Sequence, residues 1–210
     1  MTETDTRNLS FIELAAEPGV TEILDLKSTF GFCAFHGGNL ERLTDQVASE
    51  AAARSGSSFY GMLQPTGMRH HLPSASIGQA PTPKLQSFLN HCDVVVAIHG
   101  YGLRGRWIDL LLGGSNRDLA EHVAHSVRRH LPQYDVVSDL DQIPKRLRGL
   151  HPTNPCNLAK HGGVQIELPP RVRGLSPLAL YWPSQSSGTK RFAHTQALIE
   201  GLIDAATSWE

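Results

Sequence analysis

The sequence predicts an α/β fold, a single domain built around one open mixed sheet with helices on it. A length of 210 residues is ordinary for one domain. Short apolar runs bounded by glycine, proline or polar residues are typical of buried strands, and Asp93–His99 is the strongest of them. Amphipathic segments alternate with these runs, as they do where helices pack on a sheet. We therefore expect one domain over residues 1–210, with residues 1–10 as a flexible polar tail.

The first half of the chain gives strand and helix signals in turn. Phe30–Phe35 is an apolar run stopped by two glycines, which predicts a buried strand. Asn39 can cap a following helix whose apolar residues recur at helical spacing up to Ser55. Ser58–Leu63 predicts a second strand. Residues 64–83 are rich in proline, glycine, serine and histidine without a period, and they predict a long loop or a short hairpin.

The second half continues the alternation. Its strand signals are short apolar runs, and its helix signals are longer stretches with apolar residues on one face. The predicted elements are a short helix at Leu85–Leu89, strands at Asp93–His99, Trp107–Leu112 and Val164–Leu168, and helices at Asn116–His130 and Arg191–Thr207.

Composition narrows the functional classes. The chain has 19 Lys and Arg against 20 Asp and Glu, a net charge of -1, which disfavours a nucleic-acid binder. The first residues lack a secretory signal pattern, and no apolar run approaches the roughly 20 residues that span a bilayer. The three cysteines, Cys33, Cys92 and Cys156, form no CxxC pair. We therefore expect a cytoplasmic protein with no nucleic-acid or membrane partner, and nothing in the sequence implies an oligomer.

Histidine is the compositional outlier, with 11 residues of 210. His36 and His99 each end a predicted strand and each precede a glycine. Ligands of open α/β sheets bind beyond the carboxyl ends of strands. Glu41 follows His36 by five residues, and the intervening Gly37-Gly38 turn allows it to reach the same point. Two histidines and one carboxylate form a catalytic zinc site with a position left open for water.

A plainer interpretation of these residues stays open. The two histidines can be strand-end residues that bond loop carbonyl groups. Glu41 can simply stabilise the start of a helix, where the macrodipole favours an acidic side chain.

Glu167 is the second candidate carboxylate of the site. It lies in an apolar strand, where it shares one face with Gln165 while Val164, Ile166 and Leu168 share the other. A carboxylate beside a zinc-activated water can take its proton and return it to a leaving amine, so Glu167 is the candidate general base. The alternative is a half-exposed strand with a polar outer face.

Basic residues surround Glu167 in the sequence. Between Gln142 and Arg191 it is the only acid among eight basic residues: Lys145, Arg146, Arg148, Lys160, Arg171, Arg173, Lys190 and Arg191. This pattern favours an anionic substrate, although a solvated basic face gives the same pattern. The candidate substrate contacts are Asn116 and Arg117 as a carboxylate clamp, then Arg171 or Arg173, with His71 and His151 as further candidates.

Five segments, in order between about residues 30 and 173, resemble the poly-γ-glutamate hydrolase family. They are His36–Glu41, Asp93–Gly100, Gly113–Arg117, His151–Asn154 and Gly163–Pro169. The resemblance implies a zinc carboxypeptidase-like fold with one zinc at the edge of the sheet. It further implies that His36, Glu41 and His99 hold the zinc and that Glu167 is the catalytic carboxylate. Leu168–Arg173 looks more like cellular relatives than phage enzymes.

The sequence therefore predicts a zinc-dependent hydrolase of amide bonds in γ-glutamyl substrates, with an anionic small molecule or γ-glutamyl peptide as its partner. Two alternatives stay open. The same zinc site could remove the acyl group of N-acyl amino acids, or the chain could be a non-catalytic relative that binds a metal or an anion.

Overall fold

The computed structural model describes residues 9–175, 181–183 and 190–210. The strands are β1 (Thr21–Asp25), β2 (Phe30–Gly38), β3 (Ser58–Gln64), β4 (Val94–Gly100), β5 (Asp109–Gly113), β6 (Asp135–Val137), β7 (Gly163–Leu168), β8 (Tyr181–Pro183) and β9 (Lys190–Phe192). The helices are α1 (Phe11–Ala16), α2 (Thr44–Ser55), α3 (Ser74–Gln79), α4 (Pro83–His91), α5 (Arg117–His130) and α6 (Ala193–Thr207). Two single 3-10 turns lie at Lys145–Leu147 and Pro155–Asn157.

Seven strands form one mixed sheet in the order β1-β3-β2-β4-β7-β5-β6. The four central strands β3, β2, β4 and β7 are parallel to one another. β1 pairs with β3 in the antiparallel sense, and β5 does so with β7. β8 and β9 form a separate two-stranded sheet. The carboxyl ends of β2, β4 and β7 therefore meet at one edge.

Helices cover both faces of the large sheet. α2, α5 and α6 bury one core with the strand residues Val94, Val96 and Ile98. α1, α3 and α4 bury the other with Val95 and Ala97. A strand covered on both sides must be apolar on both sides, which is why β4 is uninterruptedly apolar from Val94 to Ile98. The predicted single-domain α/β fold with an open mixed sheet is confirmed.

The five predicted strands and the four predicted helices are all present, with shifted ends. α2 begins at Thr44, after a left-handed Leu43 (φ 74°), so Asn39 does not cap it. The Asn39 side chain instead donates to the Met68 carbonyl. The stretch predicted as a loop or hairpin contains a helix, α3, and the predicted C-terminal helix begins at Ala193 because residues 190–192 form β9.

Two early elements were not predicted. α1 begins with a capping box, in which the Ser10 hydroxyl accepts from the Glu13 amide and the Glu13 carboxylate accepts from the Ser10 amide. β1 follows at the edge of the sheet. The predicted flexible tail, residues 1–10, lies outside the described residues except for its last two positions.

No helix in the described part of the chain is long and apolar enough to cross a lipid bilayer.

Candidate metal centre

Three potential metal ligands lie together at the carboxyl ends of β2 and β4. His36 is on β2, His99 is on β4, and Glu41 is in the turn between β2 and α2. Each side chain offers one ligand atom, and these atoms lie within 4.8 Å of one another. Both histidines are buried, with 4% and 3% of their surfaces exposed. The structure thus brings together the three residues predicted as zinc ligands.

The contacts within this cluster are short and specific. One oxygen of Glu41 lies 2.8 Å from His36 Nδ1, and the other lies 3.3 Å from His99 Nδ1. The second oxygen also accepts from the amide of Gly100 at 2.9 Å. The two imidazole rings meet edge to face, with centroids 5.1 Å apart. Both Nδ1 atoms therefore face the same carboxylate.

The turn that carries Glu41 is built locally. Gly38 has φ 69°, and a side chain there would collide with the backbone of Gln64, so only glycine fits. The Glu41 amide donates to the His36 carbonyl at 2.8 Å, which closes the turn. The hydroxyl of Thr44 then donates to the Glu41 carbonyl at 2.7 Å. These bonds bring Glu41 back over the end of β2.

The donor set fits a zinc ion. Zinc takes histidine nitrogens and carboxylate oxygens, with a fourth position open in catalytic sites. His36 Nε2 lies 2.8 Å from the Leu72 carbonyl, so it can donate there and leave Nδ1 free as a ligand. The plainer interpretation, a histidine bonded to a loop carbonyl, therefore describes only one nitrogen of His36. His99 Nε2 is buried and has no hydrogen-bond partner among the described residues.

Glu167 lies on the next strand, directly opposite His99 in the β4–β7 register. It is 6% exposed, and Gln165 beside it donates to its Oε1 at 2.8 Å. The alternative of a half-exposed polar face is wrong, because every residue of β7 is buried. The carboxylate instead lines the same cleft as the three potential ligands.

The surroundings shift the pKa values of the two carboxyl groups in opposite directions. Burial alone would raise the pKa of Glu41, but attraction to His36 and His99 and their hydrogen bonds hold it well below its usual range. Burial raises the pKa of Glu167, and the charge of Glu41 adds to this, while His99 opposes it. Two neighbouring carboxyl groups whose pKa values are shifted in opposite directions are typical of acid–base sites.

The cleft above these residues has a volume of about 450 Å³. Its other walls are the start of α3 and the segment from Lys145 to Asn154. His71 and His151, two of the predicted substrate contacts, line it. The ring of His71 lies 4.8 Å from that of His36, centroid to centroid. His151 lies at the rim, where its Nδ1 accepts from the Thr153 amide at 3.2 Å.

Two further basic residues line the cleft, although the sequence did not single them out as substrate contacts. Lys145 and Arg146 lie on the first 3-10 turn, and both line the cleft. Neither has an acidic partner within 4.0 Å in the part of the chain that the structure describes. The basic span in the sequence contained both, but only the fold shows which of its members face the site.

The other predicted substrate contacts lie elsewhere. β5 runs antiparallel to β7, so its carboxyl end lies at the start of β7. There the backbone N–H of Asn116 donates to the Gly163 carbonyl. Arg117 donates to the carbonyl oxygens of Leu112, Gly114 and Ser138. The structure therefore gives these two residues a role in holding a loop at the opposite end of the sheet. The predicted carboxylate clamp at this position is corrected accordingly.

Arg117→Met is expected to lower the free energy of unfolding by about 1–3 kcal/mol, because three carbonyl groups lose a donor. KM for an anionic substrate should not change. Thermal and urea unfolding with parallel kinetics test this, with Arg104→Met as a control at an exposed loop position. If KM rises in Arg117→Met and does not rise in Arg104→Met, Arg117 contacts the substrate carboxylate as the sequence predicted.

Arg171 also lies away from the cleft. Its guanidinium lies over the ring of Tyr134, 5.9 Å from the centroid, and Tyr134 belongs to the core on the α5–α6 side of the sheet. Arg173 is buried beside the site but does not line the cleft. It donates to the carbonyls of Arg42 at 3.0 Å and Tyr101 at 3.3 Å, and so ties together the segments that follow Glu41 and His99.

A larger groove of about 770 Å³ lies beside β6. Its lining mixes arginine with aspartate and glutamate, and it contains none of the potential ligands. Volume alone would point to this groove, whereas the convergence of buried ionisable groups points to the smaller cleft.

Comparison with known proteins gives a family and a fold. The family model described as poly-gamma-glutamate hydrolase matches residues 10–192. The structure of a bacteriophage poly-gamma-glutamate hydrolase is similar, with a TM-score of 0.72, 19% sequence identity and 92% of each chain covered. The zinc-free apo form of YndL is similar to the same degree, with a TM-score of 0.72, 19% identity and 94% of each chain covered. No curated protein matches the sequence.

Proposed function

The chain belongs to the poly-γ-glutamate hydrolase family, and we propose that it is a zinc-dependent hydrolase of amide bonds in γ-glutamyl substrates. His36, Glu41 and His99 are the proposed zinc ligands, and Glu167 is the proposed general base. The name of one structural neighbour, a zinc-free form, supports a role for zinc in this fold.

The observation that carries this proposal is the placement of Glu167. It lies opposite His99 across one strand pair, in the same cleft as the ligand cluster, with its pKa raised by burial. A protein that only binds a metal or an anion needs no such carboxyl group. This residue therefore favours a hydrolase over a non-catalytic binding protein.

Each residue of the site has a proposed role. Bound zinc supplies Lewis acidity, which lowers the pKa of a water molecule and polarises a carbonyl. Glu167 accepts the proton of the attacking water and returns it to the leaving nitrogen. Glu41 stays ionised, and His36 is oriented by the Leu72 carbonyl.

The charge of the rim favours an anionic substrate. Lys145 and Arg146 present cationic side chains at the cleft without an acidic partner among the described residues. Glutamyl units that are joined through their side-chain carboxyl groups each keep a free α-carboxylate. Such a substrate places repeated negative charges where these two side chains can meet them.

The double variant Lys145→Gln with Arg146→Gln is expected to raise KM for a substrate with free carboxylates roughly 2- to 10-fold, since two exposed charge contacts are lost. kcat should change little. KM for an esterified substrate, which lacks the negative charge, should not change. Lys160→Gln is the control, because this exposed lysine pairs with Asp93 at the opposite end of the sheet. An equal rise in KM for the free-carboxylate substrate and for the esterified substrate would contradict the proposed charge recognition.

A direct comparison of substrates tests the function itself. Zinc-loaded protein should hydrolyse γ-linked glutamyl oligomers and lose this activity with a chelator. N-acyl amino acids and α-linked glutamyl peptides serve as the alternatives. Faster turnover of N-acyl amino acids would identify a deacylase, and no turnover of any amide would favour the non-catalytic alternative.

A further inference from the structure

We infer that Asn154 and Gln165 are positioning residues that fix the catalytic carboxylate through a directional chain of hydrogen bonds. This inference rests on the proposed function of Glu167 as the general base. Neither amide was among the site residues predicted from the sequence.

The chain of bonds is short and buried. Asn154 Nδ2 donates to Gln165 Oε1 at 2.7 Å, and Gln165 Nε2 donates to Glu167 Oε1 at 2.8 Å. The three side chains are 3%, 5% and 6% exposed. A Cβ at Gly149, where φ is 62°, would lie 2.8 Å from Gln165 Oε1. The backbone thus packs directly on the amide of Gln165 and limits its movement.

The direction of the chain is set at both ends. The amide of Cys156 can only donate, and it donates to Asn154 Oδ1 at 3.3 Å. The Nδ2 group of Asn154 must then point the other way, toward the Gly149 carbonyl and Gln165 Oε1. Gln165 is left with its NH₂ group facing Glu167, and an ionised carboxylate can only accept. The backbone N–H of Cys156 at one end of the chain and the carboxylate of Glu167 at the other therefore both require the side-chain amides of Asn154 and Gln165 to be oriented as described.

This arrangement acts on Glu167 without contact with the substrate. The carboxylate has two oxygens, and the bond from Gln165 holds Oε1. Oε2 is thereby left as the oxygen for the water proton. A general base must lie within hydrogen-bond reach of that proton, so a small rotation of the carboxyl group is expected to slow proton transfer.

The test is Asn154→Asp, which keeps the shape and reverses one donor. An ionised aspartate at this position can only accept, so Gln165 must turn its NH₂ group toward it. The oxygen of Gln165 then faces the Glu167 carboxylate and repels it. We expect kcat to fall roughly 10- to 100-fold, the effect of losing one hydrogen bond to a charged group, with zinc content and KM for an esterified, uncharged substrate unchanged. Because burial and the nearby Glu167 raise the pKa of the new carboxyl group, the comparison is made across a pH series that extends to alkaline pH.

Asn157→Asp is the matched control. Asn157 belongs to the same loop and donates to the carbonyls of Gly149 at 2.7 Å and His151 at 3.0 Å, but it does not bond Gln165. Its replacement should lower thermal stability through lost loop contacts and lower kcat much less than Asn154→Asp does, because the bond from Asn154 to Gln165 remains. Equal loss of kcat in the two variants would reduce the role of Asn154 to loop stability and overturn the inference.

A double-mutant cycle separates positioning from general damage. In a Glu167→Gln background, Asn154→Asp should cause no further loss of kcat, because the group that it orients is gone. If the double variant instead loses kcat by the product of the two single-variant factors, the inference is contradicted.

The side-chain amide resonances of Gln165 give a readout that needs neither metal nor turnover. In metal-free protein they should shift strongly in Asn154→Asp and in Glu167→Gln, and much less in Asn157→Asp, where the direct bond to Gln165 is kept. Unshifted Gln165 resonances in Asn154→Asp would overturn the inference even in a protein with no hydrolase activity. If wild-type protein hydrolyses no amide while the resonances shift as expected, the proposed function fails and the chain of bonds stands.

Discussion

Glu167→Gln is expected to lower kcat by roughly 10²- to 10⁴-fold or more while zinc stays bound. General acid–base catalysis contributes on that scale, and the same carboxylate is proposed to act in both halves of the reaction. The replacement keeps the shape of a residue that is 6% exposed and bonded to Gln165, so the fold should not change. KM should change little, because the neutral side chain repels an anionic substrate no more than the carboxylate does. Kinetics and elemental analysis of the same preparation test this.

Glu41→Gln is the matched comparison. An amide oxygen is a poorer zinc ligand than a carboxylate, so this variant should lose zinc affinity before it loses anything else. Loss of zinc in Glu167→Gln with retention in Glu41→Gln would show that the two carboxylates have been assigned in reverse. Full activity in both variants would contradict a zinc hydrolase altogether.

His36→Ala and His99→Ala are each expected to remove the metal. Wild-type protein should retain about one zinc per chain after dialysis, because three proposed protein ligands would hold the ion. Each variant leaves only two ligands and should retain little zinc. His151→Ala is the control, since His151 lines the cleft but lies outside the ligand cluster.

Both histidines are buried, so loss of zinc could also follow from unfolding. His36→Gln and His99→Gln keep most of the volume and separate the two causes. Circular dichroism should show native secondary structure in variants that have lost the ion. Zinc retained in all four folded variants would remove the assignment.

The sequence predicted the ligand cluster because each member carries a local signal. His36 and His99 end apolar runs and precede glycine, and parallel strands bring such ends to one edge. Glu41 is near His36 in the chain, so a single tight turn suffices to bring them together. Glu167 was predicted from its position as a lone acid within an apolar strand.

The sequence misplaced the arginines because side-chain charge says nothing about strand direction. A strand followed by glycines and Asn116-Arg117 resembles the other strand ends, but β5 runs the opposite way to β7. Only the pairing shows that Arg117 lies at the far end of the sheet. Arg146 was likewise one of eight basic residues until the turn at 145–147 placed it on the cleft.

Some helices and strands were not predicted because they are too short to show a hydrophobic period in the sequence. α1 has six residues, too few for a helical period to stand out. Its one available signal was the pairing of Ser10 with Glu13, a capping box. β1 and β6 have five and three residues and lie at the two edges of the sheet, where pairing rather than apolar character defines a strand.

The position of β7 has a consequence for biosynthesis. β7 lies between β4 and β5, although both precede it in the chain. Until residue 168 has been made, β4 keeps an open edge whose sequence, Val-Val-Val-Ala-Ile, is uncharged and strongly β-forming. Such an edge is a template for intermolecular pairing. A nascent or truncated chain that ends before Gly163 is therefore expected to aggregate or to recruit chaperones, and the last parallel strand to be made protects the chain from self-association as well as carrying Glu167.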